Sequence, residues 1–231
     1  MPYPCLLSMA ALSKSGTSLR ELPVRDLVIA GWTGRDQAAL EAHIRELEAV
    51  GVARPASTPI FYRVGAALLT TDSEIEVSGA CSSGEVEFVL ISAEDGLWVG
   101  VGSDHTDRKA EVVGVALSKQ MCPKPIAPTM WRFDEVAPHW DRLILRSHVG
   151  EGAERRLYQE GPVSAMRAPS DLIARYSRDG VLPPGTTMFC GTLAAHGGIS
   201  YAPTFEIELE DPMLGRKITH RYRVHALPVA G

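Results

Sequence analysis

Glu85-Val86-Glu87 opens an apolar run, Phe88-Val89-Leu90-Ile91. Side chains alternate faces along a strand, so the two carboxylates share one face and Phe88 takes the other. Parallel carboxylates repel, and burying them unpaired is unfavourable. A divalent cation resolves the conflict, because hard cations take carboxylate oxygens. The competing reading is a solvated strand end, the usual place for glutamate. Asp104, in Gly102-Ser-Asp-His-Thr-Asp-Arg108, follows the next strand directly. Neighbouring strands can bring it beside the glutamates. Three carboxylates with open positions suit Mg2+, Mn2+ or Ca2+ better than Zn2+. His105 offers a fourth ligand, but alternation turns it away from the side Asp104 faces.

His43 and Glu46 lie three residues apart in a helical pattern, hence on one face and within pairing reach. A carboxylate that holds one imidazole nitrogen fixes the tautomer and makes the other nitrogen a better base for activating water. An ordinary exposed pair, flanked by Arg45 and Glu48, fits the same spacing.

Strands and one helix must position these groups. Leu27 to Gly31 reads as a buried strand, and Asp36 to Val50 as the best helix, with Leu40, Ile44 and Leu47 at helical spacing. Further strands are expected at Pro59 to Val64, Ile75 to Val77, Glu85 to Ser92 and Leu97 to Gly102. The last two are joined by the turn signal Glu94-Asp95-Gly96. Arg142 to Val149, Met188 to Cys190, Thr204 to Glu210 and Ile218 to His225 read as strands, and Ser170 to Tyr176 as a second helix. Residues 1–25 read as an N-terminal arm with at most a short strand, and 26–231 as one catalytic domain. The fold class is α+β and β-rich, with no alternating β-α-β pattern.

With 231 residues, 45% hydrophobic and 22% charged, the composition is globular, which excludes global disorder. A formal charge of -5 argues against a broad nucleic-acid or acidic-membrane footprint. Apolar runs are too short to span a bilayer, and no signal peptide is read at the start. Cys5, Cys81, Cys122 and Cys190 make no C-x-x-C pair, so neither a zinc ribbon nor a disulfide scaffold is supported, and a cytoplasmic setting is expected. Cys122 and Cys190 read as buried structural thiols. His139 and Trp140 read as packing, Trp32, Trp98 and Trp131 as core or interface aromatics, and His196 as balanced between ligand contact and loop support. His148, His220 and His225 receive no role.

Taken in order, these features resemble a family. A helix carries His43-Ile-Arg-Glu46, followed by Pro59-Ile-Phe-Tyr-Arg63, then Glu85-Val-Glu87, Asp104-x-x-x-Arg108 and Lys119. Leu182-Pro-Pro-Gly185, Gly191-Thr192 and Gly197-Gly198 close the series. From about residue 27 to 225 the chain is similar to the fumarylacetoacetate hydrolase superfamily, in a bacterial branch of it. The resemblance implies a mixed β-roll or sandwich with few helices, usually assembled as a homodimer. It implies Mg2+ or Mn2+ on Glu85, Glu87 and Asp104, and a water-activating dyad of His43 and Glu46. It implies Lys119 on the substrate carbonyl or oxyanion, Arg108 orienting a carboxylate, and Thr192 in substrate binding. Ser103 stands where Asn is common. Glu111 stands where some members place a substrate-contacting Gln, and His196 sits in a loop that lacks the usual Pro.

The implied reaction is hydrolysis of a C–C bond in a small oxo acid of the acylpyruvate or diketo-acid kind. Water activated by His43 attacks a carbonyl, and the carbanion leaves as an enolate. A metal-dependent isomerase, hydratase or decarboxylase of a related oxo acid would use the same equipment. A non-catalytic binding module would need neither the metal nor the histidine.

Overall fold

The computed structural model describes residues 5–49 and 54–230, apart from the side chains of His43, Glu46 and Leu47. The chain opens with an antiparallel hairpin, β1 (Cys5–Ser13) and β2 (Gly16–Val24), followed by β3 (Asp26–Gly31), α1 (Gln37–Ala49) and β4 (Ile60–Val64). Next come β5 (Leu69–Thr70), β6 (Glu74–Ser78) and β7 (Ser82–Ser83), then the hairpin β8 (Val86–Ala93) and β9 (Gly96–Ser103). β10 (Thr106–Asp107) runs into α2 (Arg108–Glu111) and α3 (Val115–Gln120), which lead to β11 (Lys124–Pro125), β12 (Thr129–Arg132) and α4 (Phe133–Val136). The last third holds β13 (Ile144–Val149), β14 (Arg156–Pro162), α5 (Pro169–Tyr176), β15 (Thr186–Phe189), β16 (Thr204–Asp211) and β17 (Arg216–Leu227).

Two sheets carry the architecture. The larger is a curled half-barrel in the order β2-β1-β12-β9-β8-β15-β3-β4, and the smaller runs β14-β13-β16-β17-β6. β8 is apolar along most of its length because both of its faces are covered. Val86, Phe88 and Leu90 pack with Trp131, Trp140, Leu145 and Ile207 between the sheets. Val89 and Ile91 turn into the curl, against Leu7, Met9, Leu27, Ile29 and Phe189. Glu87 shares that second face by alternation, so the acidic pair sits where the lining of the curl ends.

The β-rich α+β class with few helices is the expected one. The N-terminal reading needs correction. Residues 5–24 are not an arm: β2 forms one edge of the larger sheet, and β1 pairs in parallel with β12, Ala10 opposite Thr129. Leu7, Met9, Ala11, Leu22 and Val24 are buried in the curl. Their apolar residues were diluted by Ser, Pro and Lys, so no clear period marked them.

α1 begins at Gln37 because Asp36 caps it, its Oδ1 accepting from the amides of Ala38 (2.9 Å) and Ala39 (3.1 Å). Leu40 and Ile44 are its buried side chains. Val50, the expected last residue of this helix, lies outside the described residues.

Candidate metal centre

The β8–β9 register makes the centre. Val86 lies opposite Ser103 and Glu87 opposite Gly102. One step beyond, the Asp104 amide donates to the Glu85 carbonyl at 2.9 Å. Asp104 and Glu85 therefore face each other, and Glu87 follows two residues along the same face. One oxygen from each of Glu85, Glu87 and Asp104 lies within 4.8 Å of the others. Glu87 is 2% exposed and Asp104 0%, with Glu85 half-buried.

Glycine at two positions lets the neighbours close in. A Cβ on Gly102 would meet the Phe189 ring at 2.5 Å. Gly191 has φ +98°, and a Cβ there would meet the Thr33 hydroxyl at 1.7 Å. The Gly191 amide donates to Glu87 Oε2 at 2.7 Å. Thr192 Oγ1 donates to the Val86 carbonyl at 2.8 Å and accepts from Gln159 Nε2 at 2.8 Å. These bonds fasten the loop after β15 to the acidic end of β8.

Three cations compensate the carboxylates unevenly. Lys119 Nζ donates to Asp104 Oδ2, and Lys124 Nζ stands 3.5 Å from Asp104 Oδ1. Lys124 is wholly buried and donates to the carbonyls of His105 (2.6 Å), Cys122 (2.9 Å) and Lys119. Burial pushes the Asp104 carboxyl upward, but Lys119 and Lys124 outweigh it and hold it below the usual carboxylate range. Burial pulls the Lys119 ammonium down, yet Asp104, Glu85 and Glu87 carry it above its ordinary value. Glu87 fares differently. Burial, and then the charge of Asp104, drive its carboxyl well above the ordinary range, and the Gly191 amide offsets only part.

Arg108 Nη2 pairs with Glu85 Oε1 at 2.9 Å and Nη1 with Glu111 Oε2 at 3.1 Å, while its buried Nε has no partner among the described residues. α2 holds both Arg108 and Glu111, its start capped by Asp107 Oδ1 on the Ala110 amide at 2.8 Å. Lys119 also stands 5.9 Å from the centre of the Tyr62 ring. Burial raises the Tyr62 phenol, against a hydrogen bond with Trp32. Trp32 has φ +60°, which is strained for a bulky side chain.

These residues fit a hard divalent cation. The donor set is all oxygen, and among the described residues no ion pair joins buried Glu87 to a cation. Arg108, paired with Glu85, keeps a buried Nε that has no partner among the described residues.

Other residues singled out in the sequence fall into place around this centre. The side chains of His43 and Glu46 lie outside the described residues. His105 faces away from the carboxylates: its Nδ1 bonds the Tyr222 hydroxyl at 3.1 Å and its Nε2 the Ser82 hydroxyl at 2.9 Å. The Thr192 hydroxyl has its proton committed to β8. His196 is exposed, and its backbone amide donates to the Tyr158 carbonyl at 2.7 Å. His139 bonds Asp211 at 2.9 Å, and Trp140 packs edge-on to Phe88. Cys190 and Cys122 are buried, and burial raises both thiols, Cys122 to about 11, so neither is a ready nucleophile. Trp98 and Trp131 are buried, whereas Trp32 is half-buried beside Tyr62 instead of in the core.

Sequence reading missed Lys124, Tyr62 and Gly191's hold on Glu87. Lysine between Pro123 and Pro125 gives no hint of burial, and nothing in Pro59-Ile-Phe-Tyr-Arg63 sets Tyr62 apart as a neighbour of Lys119. One groove of about 470 Å3 runs along β2 and the β8–β9 turn, lined by Arg20, Pro23, Ile91 and Gly185. It contains none of the clustered carboxylates, so this groove is not the chemical centre.

A sequence profile of the DUF2848 family, described as a protein of unknown function, matches residues 30–222, and the chain belongs to that family. No curated protein sequence matches it. The fold is shared with solved structures of low identity. A crystal structure of Cg1458 with inhibitor is 18% identical, with a TM-score of 0.65 over 91% of this chain and 85% of that one. A 2-keto-3-deoxy-D-arabinonate dehydratase complexed with magnesium and 2,5-dioxopentanoate is 15% identical, with a TM-score of 0.60 over 91% and 77%. The 4-oxalocrotonate decarboxylase from Pseudomonas putida G7, complexed with calcium and acetate, is 16% identical, with a TM-score of 0.56 over 86% and 76%. The fold class is the fumarylacetoacetate-hydrolase-like mixed β-roll expected from the sequence. Among the described residues, no helix is long and apolar enough to cross a membrane.

Proposed function

We propose that this protein is a divalent-metal-dependent enzyme of the fumarylacetoacetate hydrolase superfamily that cleaves a C–C bond in a small oxo acid. The observation that carries the reading is the convergence of Glu85, Glu87 and Asp104 within 4.8 Å at the buried end of one hairpin. Those three would hold Mg2+ or Mn2+. When bound, the cation supplies Lewis acidity toward a carbonyl oxygen. The similar structures that contain magnesium or calcium support a divalent cation in this fold.

The chain's own groups supply the rest. His43, oriented by Glu46, takes a proton from water, and the resulting hydroxide adds to the carbonyl carbon. The C–C bond breaks, and its electron pair leaves as an enolate. Lys119 has three donors and gives one to Asp104, leaving two for the developing oxyanion. The enolate carbon then recovers a proton, so that an acylpyruvate plus water yields a carboxylic acid and pyruvate. Arg108, whose buried Nε has no partner among the described residues, would orient the substrate carboxylate by a hydrogen bond.

A second reading, dehydration or decarboxylation, runs through the same enolate, and the dehydratase and decarboxylase among the similar structures favour it. Acetylpyruvate and oxaloacetate, assayed side by side with Mn2+ on wild type and on Glu111→Gln, which lacks one negative charge beside the site, separate the two. Pyruvate released from acetylpyruvate supports hydrolysis. Carbon dioxide from oxaloacetate, with acetylpyruvate left intact, supports decarboxylation. Turnover unchanged by chelation contradicts both.

A further inference from the structure

We infer that the centre selects an oxo acid with a single carboxylate, and that Glu111 is the residue that turns away a second one. The inference rests on the proposed metal-dependent oxo-acid chemistry and adds the substrate's charge.

The argument begins with Arg108. A free guanidinium beside a metal centre would be the natural dock for a second carboxylate, because its fork matches carboxylate geometry. Here each terminal nitrogen already holds a carboxylate, Nη2 that of Glu85 and Nη1 that of Glu111. The Arg108 side chain is 8% exposed, so it has little room to exchange partners. Further N–H groups, Nε among them, can still give hydrogen bonds, but the charge behind them is already matched.

Charge balance points the same way. Glu85, Glu87, Asp104 and Glu111 face Arg108, Lys119 and Lys124 across one connected set of contacts. With all four carboxylates ionised, as a bound cation would require of Glu87, four negative charges against three cations leave one negative charge. A divalent ion would turn this into one positive charge, enough for one carboxylate. Glu111 is 25% exposed on its side chain and Glu85 23%, so these two are the accessible carboxylates of the cluster. A dianion would bring its second charge against it without a spare cation, and like charges brought together in a partly desolvated site repel strongly. A neutral glutamine there would hold Arg108 less firmly and repel nothing.

The test uses binding of inert probes to the full-length, Mn2+-loaded protein. Mn2+ binding is first established by electron paramagnetic resonance. Dissociation constants are then measured for 2-oxopentanoate, a monoanion, and 2-oxoglutarate, a dianion of similar length. Wild type is expected to prefer the monoanion at least about tenfold, and Glu111→Gln to reduce that preference to about threefold or less. Bound Mn2+ with equal affinity for the two probes, tighter binding of the dianion, or an unchanged ratio in Glu111→Gln would overturn the inference and leave the metal reading intact. Failure of wild type to bind Mn2+ would remove both. Should Glu111→Gln not fold, the wild-type ratio is measured again in 0.5 M KCl. Salt screens charges near solvent, so the ratio should shrink. A ratio indifferent to salt would overturn the role of charge.

Discussion

The amide of Asp104 donates to the carbonyl of Glu85 at 2.9 Å, which extends the β8–β9 register one step past the last strand pair. That single backbone bond brings together two carboxylates separated by most of a hairpin. Glu87 joins them because alternation returns it to the same face. The centre is thus a consequence of strand register, and a slip of one residue would send Glu87 into the apolar layer between the sheets.

Gly191 should tolerate no side chain. Its φ of +98° and the 1.7 Å approach to Thr33 leave no place for a Cβ. Gly191→Ala is expected to cost more than about 2 kcal/mol, measured by urea unfolding. It should also weaken Mn2+ binding, because the amide that holds Glu87 must move. A variant with wild-type stability would show that the loop after β15 is not fastened as described.

Lys124 should act as a buried brace. Its ammonium satisfies three carbonyls and borders Asp104. Lys124→Met strands those carbonyls and removes a charge that Asp104 relies on, with an expected loss of about 3–5 kcal/mol in equilibrium unfolding. A loss below about 1 kcal/mol would mean that the carbonyls find water instead.

His105 should make the protein acid-sensitive. Burial first, then Lys124 and Arg108, depress its imidazole to about 3, against a smaller upward pull from Asp104. Unfolded, it titrates near 6.5. Between those values the unfolded chain binds a proton that the native one refuses. The stabilisation from neutral His105 is therefore complete above about pH 6.5 and is lost as pH falls toward 3, by about 1.4 kcal/mol per unit. Urea unfolding at pH 6.5 and 5.0 should show wild type losing about 2 kcal/mol more than His105→Gln. Equal losses would place the proton uptake elsewhere.

Lys119 should matter to turnover more than to binding. Lys119→Met removes the donors proposed for the oxyanion, and kcat on the best oxo-acid substrate is expected to fall at least about 100-fold with a smaller change in KM. A change confined to KM would make it a ground-state contact.

Much of this was legible in the residues, for physical reasons. Glu85, Glu87 and Asp104 could be read because a period of two and a short turn leave little freedom in how a hairpin aligns its ends. The helix at α1 was legible because Leu40, Ile44 and Leu47 recur at helical spacing. The hairpin of residues 5–24 was not, because β1 is paired with β12 more than a hundred residues away and its alternation is broken by polar residues. Lys124 was invisible for a related reason. Its burial depends on carbonyls gathered from residues 105, 119 and 122, and no local pattern announces such a cage. Glu111 could be located in the sequence, but its bond to Arg108, which gives it meaning, belongs to the folded chain.

The most direct measurement is a Mn2+ titration of wild type and Glu87→Gln, followed by electron paramagnetic resonance. Among the described residues, no ion pair joins the buried Glu87 carboxylate to a cation. Wild type should therefore bind one Mn2+ per chain, and Glu87→Gln should lose affinity by about 100-fold or more while remaining folded. Wild type that binds no Mn2+, or a Glu87→Gln variant that binds it equally well, would contradict the metal centre and the chemistry built on it.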